Sequence, residues 1–234
     1  MDCYVSLDLE TTGLNPKTDK IIEIGAIRVE NGVCRDTFEN FVNPGRRLEE
    51  KITELTGIED KDLADAPEIS EILPEFLKFA GELPLLGHSV LFDFSFVKKA
   101  AVNQRLSFER KGVDTLKIAR KYLSELPHRS LDYLCTHYQI PHHAHRAAAD
   151  AKATIALYEI LWREFGQAAD AASVFTPAGL NFQVKKDSPI TKSQKERLYN
   201  LIRKHKLNTI YDLDKLTKSE ASRYTDQILA KYGR

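Results

Sequence analysis

Hydrophobic and polar positions alternate at the start of the chain. Cys3, Val5, Leu7 and Leu9 fall on one side of an extended backbone, and Tyr4, Ser6, Asp8 and Glu10 fall on the other. This period predicts a first strand in which Asp8 and Glu10 share a face. The segment TTGLNP turns the chain, and a second strand is predicted around Ile21 to Val29. An Asn31-Gly32 turn then leads into a third around Thr37 to Val42, in meander order. From Leu48 the pattern becomes helix and loop. Ile69, Leu73, Phe76, Leu77 and Ala80 stand at helical spacing before a short apolar strand near Leu83 to Gly87. Helices are expected at 91–104, at 115–138 with a break at Pro127, and at 146–165, with a short strand near Val113. Strands first, then strands interleaved with helices, indicate an α/β fold built on a mixed sheet.

Residues 167–190 are rich in Ala, Gly, Pro and Ser and keep no sustained period, so they are expected to link a domain over 1–166 to a small helical module over 191–234. Within that module Thr191 with Gln194, and Thr217 with Glu220, match capping boxes, so two helices should begin there. Leu198, Leu201, Ile202 and His205 give the first an apolar stripe. Ala221, Tyr224, Ile228 and Leu229 do the same for the second, and Gly233 suits its C-cap.

Hydrophobic residues make up 42% and charged residues 29%, a balance that requires a packed core. No apolar run approaches the ~20 residues of a bilayer span, and the N-terminus MDCYVSLDLE lacks the basic and small-residue features of a cleaved leader. A cytoplasmic protein with no membrane partner is expected. Three widely spaced cysteines without a CxxC pair argue against disulfides and zinc, and buried free thiols are expected. The formal charge is zero, but residues 181–234 carry thirteen Lys/Arg against six Asp/Glu, so a basic tail of +7 follows a body of −7.

The paired carboxylates Asp8 and Glu10 can reach one point in space, as hard cations such as Mg²⁺ and Mn²⁺ require. Exposed strand faces are often acidic without purpose, but Asp8 interrupts an apolar strand, where a carboxylate is costly unless paired or metal-bound. Thr11, Thr12 and Gly13 form a tight turn whose amides could meet a phosphate or a terminal sugar; turning the chain is their simpler role. Asp93 opens a helix in GHSVLFDFSF, where a first-turn Asp also complements the helix dipole. In HAHRAAAD, His145 precedes a helix that carries Asp150 in an early turn, so that imidazole and carboxylate can face one cleft. His142 and His143 lack that spacing and are read as ordinary surface or core residues. Phe92, spaced with Phe96, is read as core.

DLETTGL, KIIEIGAIRVENG, FVNPGRRLEEKITELTGIEDKDLADAP, GHSVLFDFSFV and HAHRAAADAKAT together resemble the ordered motifs of the DnaQ-like, DEDDh-type 3′-to-5′ exonucleases. The likeness spans residues 1 to about 165 and is closest to the proofreading exonucleases of bacterial DNA polymerase III, especially those of PolC-type polymerases. It implies a ribonuclease H-like mixed sheet flanked by helices, with the small C-terminal helical module as an addition. It also implies two divalent cations, Mg²⁺ or Mn²⁺, held by Asp8, Glu10, Asp93 and Asp150: Asp8 bridging both, Glu10 and Asp150 fixing the one at the attacking water, and Asp93 supporting the second. His145 would take the water's proton, and Thr11, Thr12, Gly13 and Leu14 would contact the terminal nucleotide. One departure is visible: Ser89 stands where many members have Asn.

The resemblance implies DNA 3′ ends as substrate, in proofreading or repair, with RNA 3′ ends as the nearest rival because metal ligands do not read the 2′-hydroxyl. At 234 residues the sequence has no room for a polymerase, so proofreading would need a separate polymerase subunit; QVKK at Gln183 is a poor clamp-binding segment. A binding module that has lost catalysis is the rival from another class, and the presence of all five catalytic residues argues against it.

Overall fold

The computed structural model describes residues 1–142, 144–208 and 212–233. His143, whose ordinary role was expected from sequence, lies outside them. β1 (Tyr4–Thr11), β2 (Ile21–Glu30) and β3 (Val33–Phe41) form the antiparallel meander. β3 starts four residues earlier than expected. It is mostly exposed, so its ladder is held by backbone pairing and no apolar alternation marks it. Asn31 (φ 54°) and Gly32 (φ 72°) make the hairpin turn, where positive φ at both positions matches the strand twist.

α1 (Glu50–Thr56), α2 (Asp60–Leu63) and α3 (Ile69–Ala80) follow, then β4 (Leu85–Gly87), α4 (Val90–Asn103) and β5 (Lys111–Asp114). The long helical stretch expected across Pro127 divides into α5 (Thr115–Tyr122) and α6 (Leu131–His137), and α7 (Ala147–Phe165) crosses the sheet. β4 and β5 run parallel to β1, which yields a mixed sheet in the order β3-β2-β1-β4-β5-β6, completed by β6 (Ala178–Gly179) antiparallel to β5. One core, with Phe76, Phe94 and Phe108 at its centre, lies between the sheet and α3 and α4; a second, with Leu134, Leu157 and Tyr158, lies under α5 and α7. This is the helix-flanked mixed sheet that the resemblance implied. Among the described residues no helix is long and apolar enough to cross a membrane.

The stretch expected to be a linker is partly ordered against the domain. It contains α8 (Ala172–Phe175) and β6; Phe175 and Leu180 are buried, and Asp187 pairs with Lys99 at 2.6 Å. Elements of four and two residues are too short for periodicity to reveal. α9 (Lys192–Lys204) and α10 (Lys218–Tyr232) each start on the expected capping box and pack on one another through Leu198, Leu216, Tyr224 and Ile228. Of the cysteines, only Cys135 is buried; Cys34 is exposed because β3 has an open outer face.

Candidate active site

The register of β1 on β2 sets Asp8 opposite Gly25 and Glu10 opposite Glu23. A Cβ on Gly25 would lie 2.1 Å from backbone atoms of Ala147 and Ala148, so glycine at this position lets the start of α7 rest directly on the sheet. Glu23, 1% exposed, then anchors that helix start: it accepts from the Ala147 amide at 3.1 Å and pairs with Arg146 at 3.0 Å. A carboxylate at a helix N-terminus satisfies an otherwise unpaired amide and meets the positive end of the dipole. One turn further on, Asp150 reaches the carboxylates of β1. One ligand oxygen from each of Asp8, Glu10 and Asp150 lies within 4.8 Å of the others.

These acids repel one another in a poorly hydrated floor. Burial raises the Asp8 carboxyl well above the usual carboxylate range, and the charges of Asp93, Asp150, Glu10 and Glu23 raise it further. Glu10 is pushed from 4.5 up to about 8, by burial first and then by Asp150 and Glu23, with Arg146 opposing. Burial likewise raises Asp150, while hydrogen bonds from His142 and from the His145 amide pull it back. Asp93, in the first turn of α4, is 3% exposed and outside the converging trio. Burial raises it strongly as well, although backbone amides, including that of Leu9, hydrogen-bond its carboxylate.

The trio opens into a cleft of about 950 Å³ lined also by Thr11, Gly13, Leu14, Phe92 and His145. His145, in a left-handed conformation (φ 63°), donates its backbone amide to Asp150 Oδ2 at 3.0 Å. Leu14 stands 83% exposed at the rim. Thr12 turns away from the cleft: its hydroxyl accepts from the Lys20 amide at 2.9 Å and from Arg46 at 2.6 Å. Phe92 does pack on Phe96, with ring centroids 5.0 Å apart, yet it also lines the cleft.

Two residues carry more than the sequence reading gave them. The spacing argument leaves His142 ordinary, but its imidazole hydrogen-bonds Asp150 and lies 3.3 Å from Asp132. Glu23 has a local signal of its own, since a glutamate inside the apolar run IIEIGAI points to a buried partner as plainly as Asp8 does. Ser89 holds a left-handed backbone (φ 78°), with its amide donating to Asp114 at 2.9 Å; asparagine tolerates that conformation well, which is a physical reason for its frequency there.

Converging, desolvated and mutually repelling oxygen donors suit a divalent cation, which would relieve the repulsion that raises their pKa values. The exonuclease family model RNase_T matches residues 5–158. The PolC-type DNA polymerase III of Caldanaerobacter subterraneus subsp. tengcongensis is 43% identical over 157 residues, 66% of this chain and 11% of that protein. The PolC-type polymerase of Oceanobacillus iheyensis is 32% identical over 241 residues, 97% of this chain and 17% of that protein, so this likeness runs on into the C-terminal helices. The chain thus spans less than a fifth of either relative. Among solved structures, Exonuclease X in complex with 5′ overhanging duplex DNA shares the fold at a TM-score of 0.56 and 23% identity, covering 72% of this chain and 96% of that one. The nuclease domain of 3′hExo, a DEDDh family member bound to rAMP, shares it at 0.59 and 20%, covering 70% and 93%. With the family model spanning the strands and helices that bring Asp8, Glu10 and Asp150 together, this chain belongs to the exonuclease (RNase_T) family.

Proposed function

We propose that the chain is a 3′-to-5′ exonuclease that hydrolyses the terminal phosphodiester of DNA and releases nucleoside 5′-monophosphates one at a time. The convergence of Asp8, Glu10 and Asp150 within 4.8 Å, in a cleft large enough for a nucleotide, carries this reading. The proposed cofactors are two Mg²⁺ or Mn²⁺ ions held by Asp8, Glu10 and Asp150, with Asp93 supporting one of them. When bound, such ions would supply charge relief at the phosphoryl oxygens and make a water acidic enough to give up its proton and attack as hydroxide.

The protein's own groups do the rest. His145, at the cleft wall with its backbone amide on Asp150, takes a proton from the attacking water. Thr11, Gly13 and Leu14 seat the terminal nucleotide, Leu14 offering apolar surface to the base and Thr12 bracing the turn from behind. Glu23 and Arg146 hold the start of α7 so that Asp150 keeps its place.

The setting we propose is proofreading or repair in the cytoplasm, the former with a polymerase that supplies the strand end; the PolC-type relatives favour a replication context. Oligonucleotides of DNA and of RNA, labelled at the 3′ or the 5′ end, test polarity and sugar together in Mg²⁺. Immediate release of the 3′ label as mononucleotide from DNA is expected. Faster cleavage of RNA would transfer the proposal to RNA ends, and endonucleolytic fragments or no cleavage would refute it.

A further inference from the structure

Helix α10 meets the catalytic domain at the back of the turn that follows β1. Glu220, Arg223 and Tyr224, on one face of α10, meet Asp19, Lys20 and Arg46. Asp19 is the centre: its side chain is 3% exposed, it accepts from the Asn15 amide at 2.9 Å, it lies 3.6 Å from Arg46, and it pairs directly with Arg223. Arg223 also donates to the Thr18 hydroxyl at 2.6 Å. The carboxylate sits flush against the turn, since a Cβ on Gly13 would lie 2.6 Å from Asp19 Oδ2. Arg46 completes the brace, donating to Thr12 and to the Thr18 carbonyl at 3.1 Å while Tyr224 and Glu220 hold its other nitrogen.

We propose that Arg223 is a positioning residue for the terminal-nucleotide site, acting through Asp19 to fix the Thr11–Leu14 turn, so that the C-terminal module sets how tightly a strand end is held. The inference rests on the function proposed above. Its charge arithmetic makes the effect local. Two acids, Asp19 and Glu220, face three bases, Lys20, Arg46 and Arg223, so loss of Arg223 leaves no buried carboxylate without a cation. What is lost is the second tie on Asp19, and with it the register of the 13–19 loop. Arg223 also borders the cleft, so it could instead touch the strand itself; the two roles differ in whether they need Asp19.

The test uses the full chain with Arg223→Ala, Arg223→Lys, Asp19→Asn and the Arg223→Ala/Asp19→Asn double variant. Steady-state cleavage of a short single-stranded DNA should show KM raised about tenfold in Arg223→Ala with kcat within about threefold, because a displaced seat weakens binding before it disturbs the metal ligands. Arg223→Lys should recover most of the loss. Asp19→Asn should resemble Arg223→Ala, and the double variant should be no worse than either single one, as for two residues acting as a unit. Independently of turnover, amide exchange over residues 13–19 should quicken about tenfold in Arg223→Ala while β1 stays protected. Unchanged exchange in that loop, an unchanged KM, or a double variant whose loss is the product of the two singles would overturn the proposal. Wild-type protein that cleaves no strand end would instead refute the proposed function, and the exchange measurement would still decide whether Arg223 braces the loop.

Discussion

Replacing Glu10 by Gln should make the metal-free protein more stable at alkaline pH while abolishing catalysis. Glu10 is 8% exposed, and its carboxyl is raised from 4.5 to about 8. Between those values the folded protein binds a proton that the unfolded chain has released, so stability is present below pH 4.5 and is lost as pH rises through about 8. At about 1.36 kcal/mol per pH unit over some 3.5 units, the full cost approaches about 5 kcal/mol. Relaxation and water entry reduce it, and about 2–5 kcal/mol is expected. Glutamine keeps the shape of the protonated acid and never ionises. Urea denaturation in EDTA at pH 5 and pH 8.5 reads the difference. Wild type should lose stability between the two, and Glu10→Gln should lose less and be the more stable protein at pH 8.5 by about 2–5 kcal/mol. Added Mn²⁺ should reverse the order, stabilising wild type through binding to the native state. A Gln variant no more stable than wild type at pH 8.5 in EDTA would refute the claim that these acids are held together against their repulsion.

Asp8→Ala should fold, lose detectable cleavage and lose the Mn²⁺-induced rise in thermal midpoint; near-full activity in the folded variant would sink the site. His145→Ala should keep that Mn²⁺ response yet cost on the order of 10²–10⁴ in rate, and a pH–rate profile identical to wild type would assign the proton to another group. Gly25→Ala should cost more than about 3 kcal/mol, because its methyl would need to occupy the backbone of Ala147 2.1 Å away; a neutral urea midpoint would contradict the seating of α7 on the sheet.

What the sequence disclosed and what it hid divide along a physical line. Asp8 and Glu10 were legible because strand geometry forces alternate residues to one face, and Asp150 with His145 because they lie five residues apart around one helix start. Capping boxes announced α9 and α10 because both partners are local. Contacts whose partners are remote in sequence leave at most half a mark, since an acid in an apolar run signals a buried partner without naming it. Glu23 meets Ala147 and Arg146 across 123 or more residues, and His142 meets Asp150 from outside the helix that carries it. Within 167–190, Phe175 and Leu180 are held by tertiary burial in elements too short to show a period.

The basic tail makes the same point with consequence for function. Read as composition, thirteen cations against six anions after residue 180 suit a polyanion tether beside an acidic domain and equally a solvated helical surface or a face that docks on a protein. In the folded chain Arg223 lies against Asp19, Lys195 pairs with Asp214, and Lys99 of the catalytic domain is held by Asp187 and the Lys185 carbonyl. Part of the tail's charge is therefore committed to its own packing and docking, Arg223 to Asp19 and, of its acids, Asp187 to Lys99 and Glu220 to Lys20 and Arg46, so net charge alone does not say which cations can meet a strand. A charge that looks like a solvated surface in sequence becomes, when its partner arrives from two hundred residues away, a contact with Thr18 and Asp19 behind the turn that follows Asp8 and Glu10.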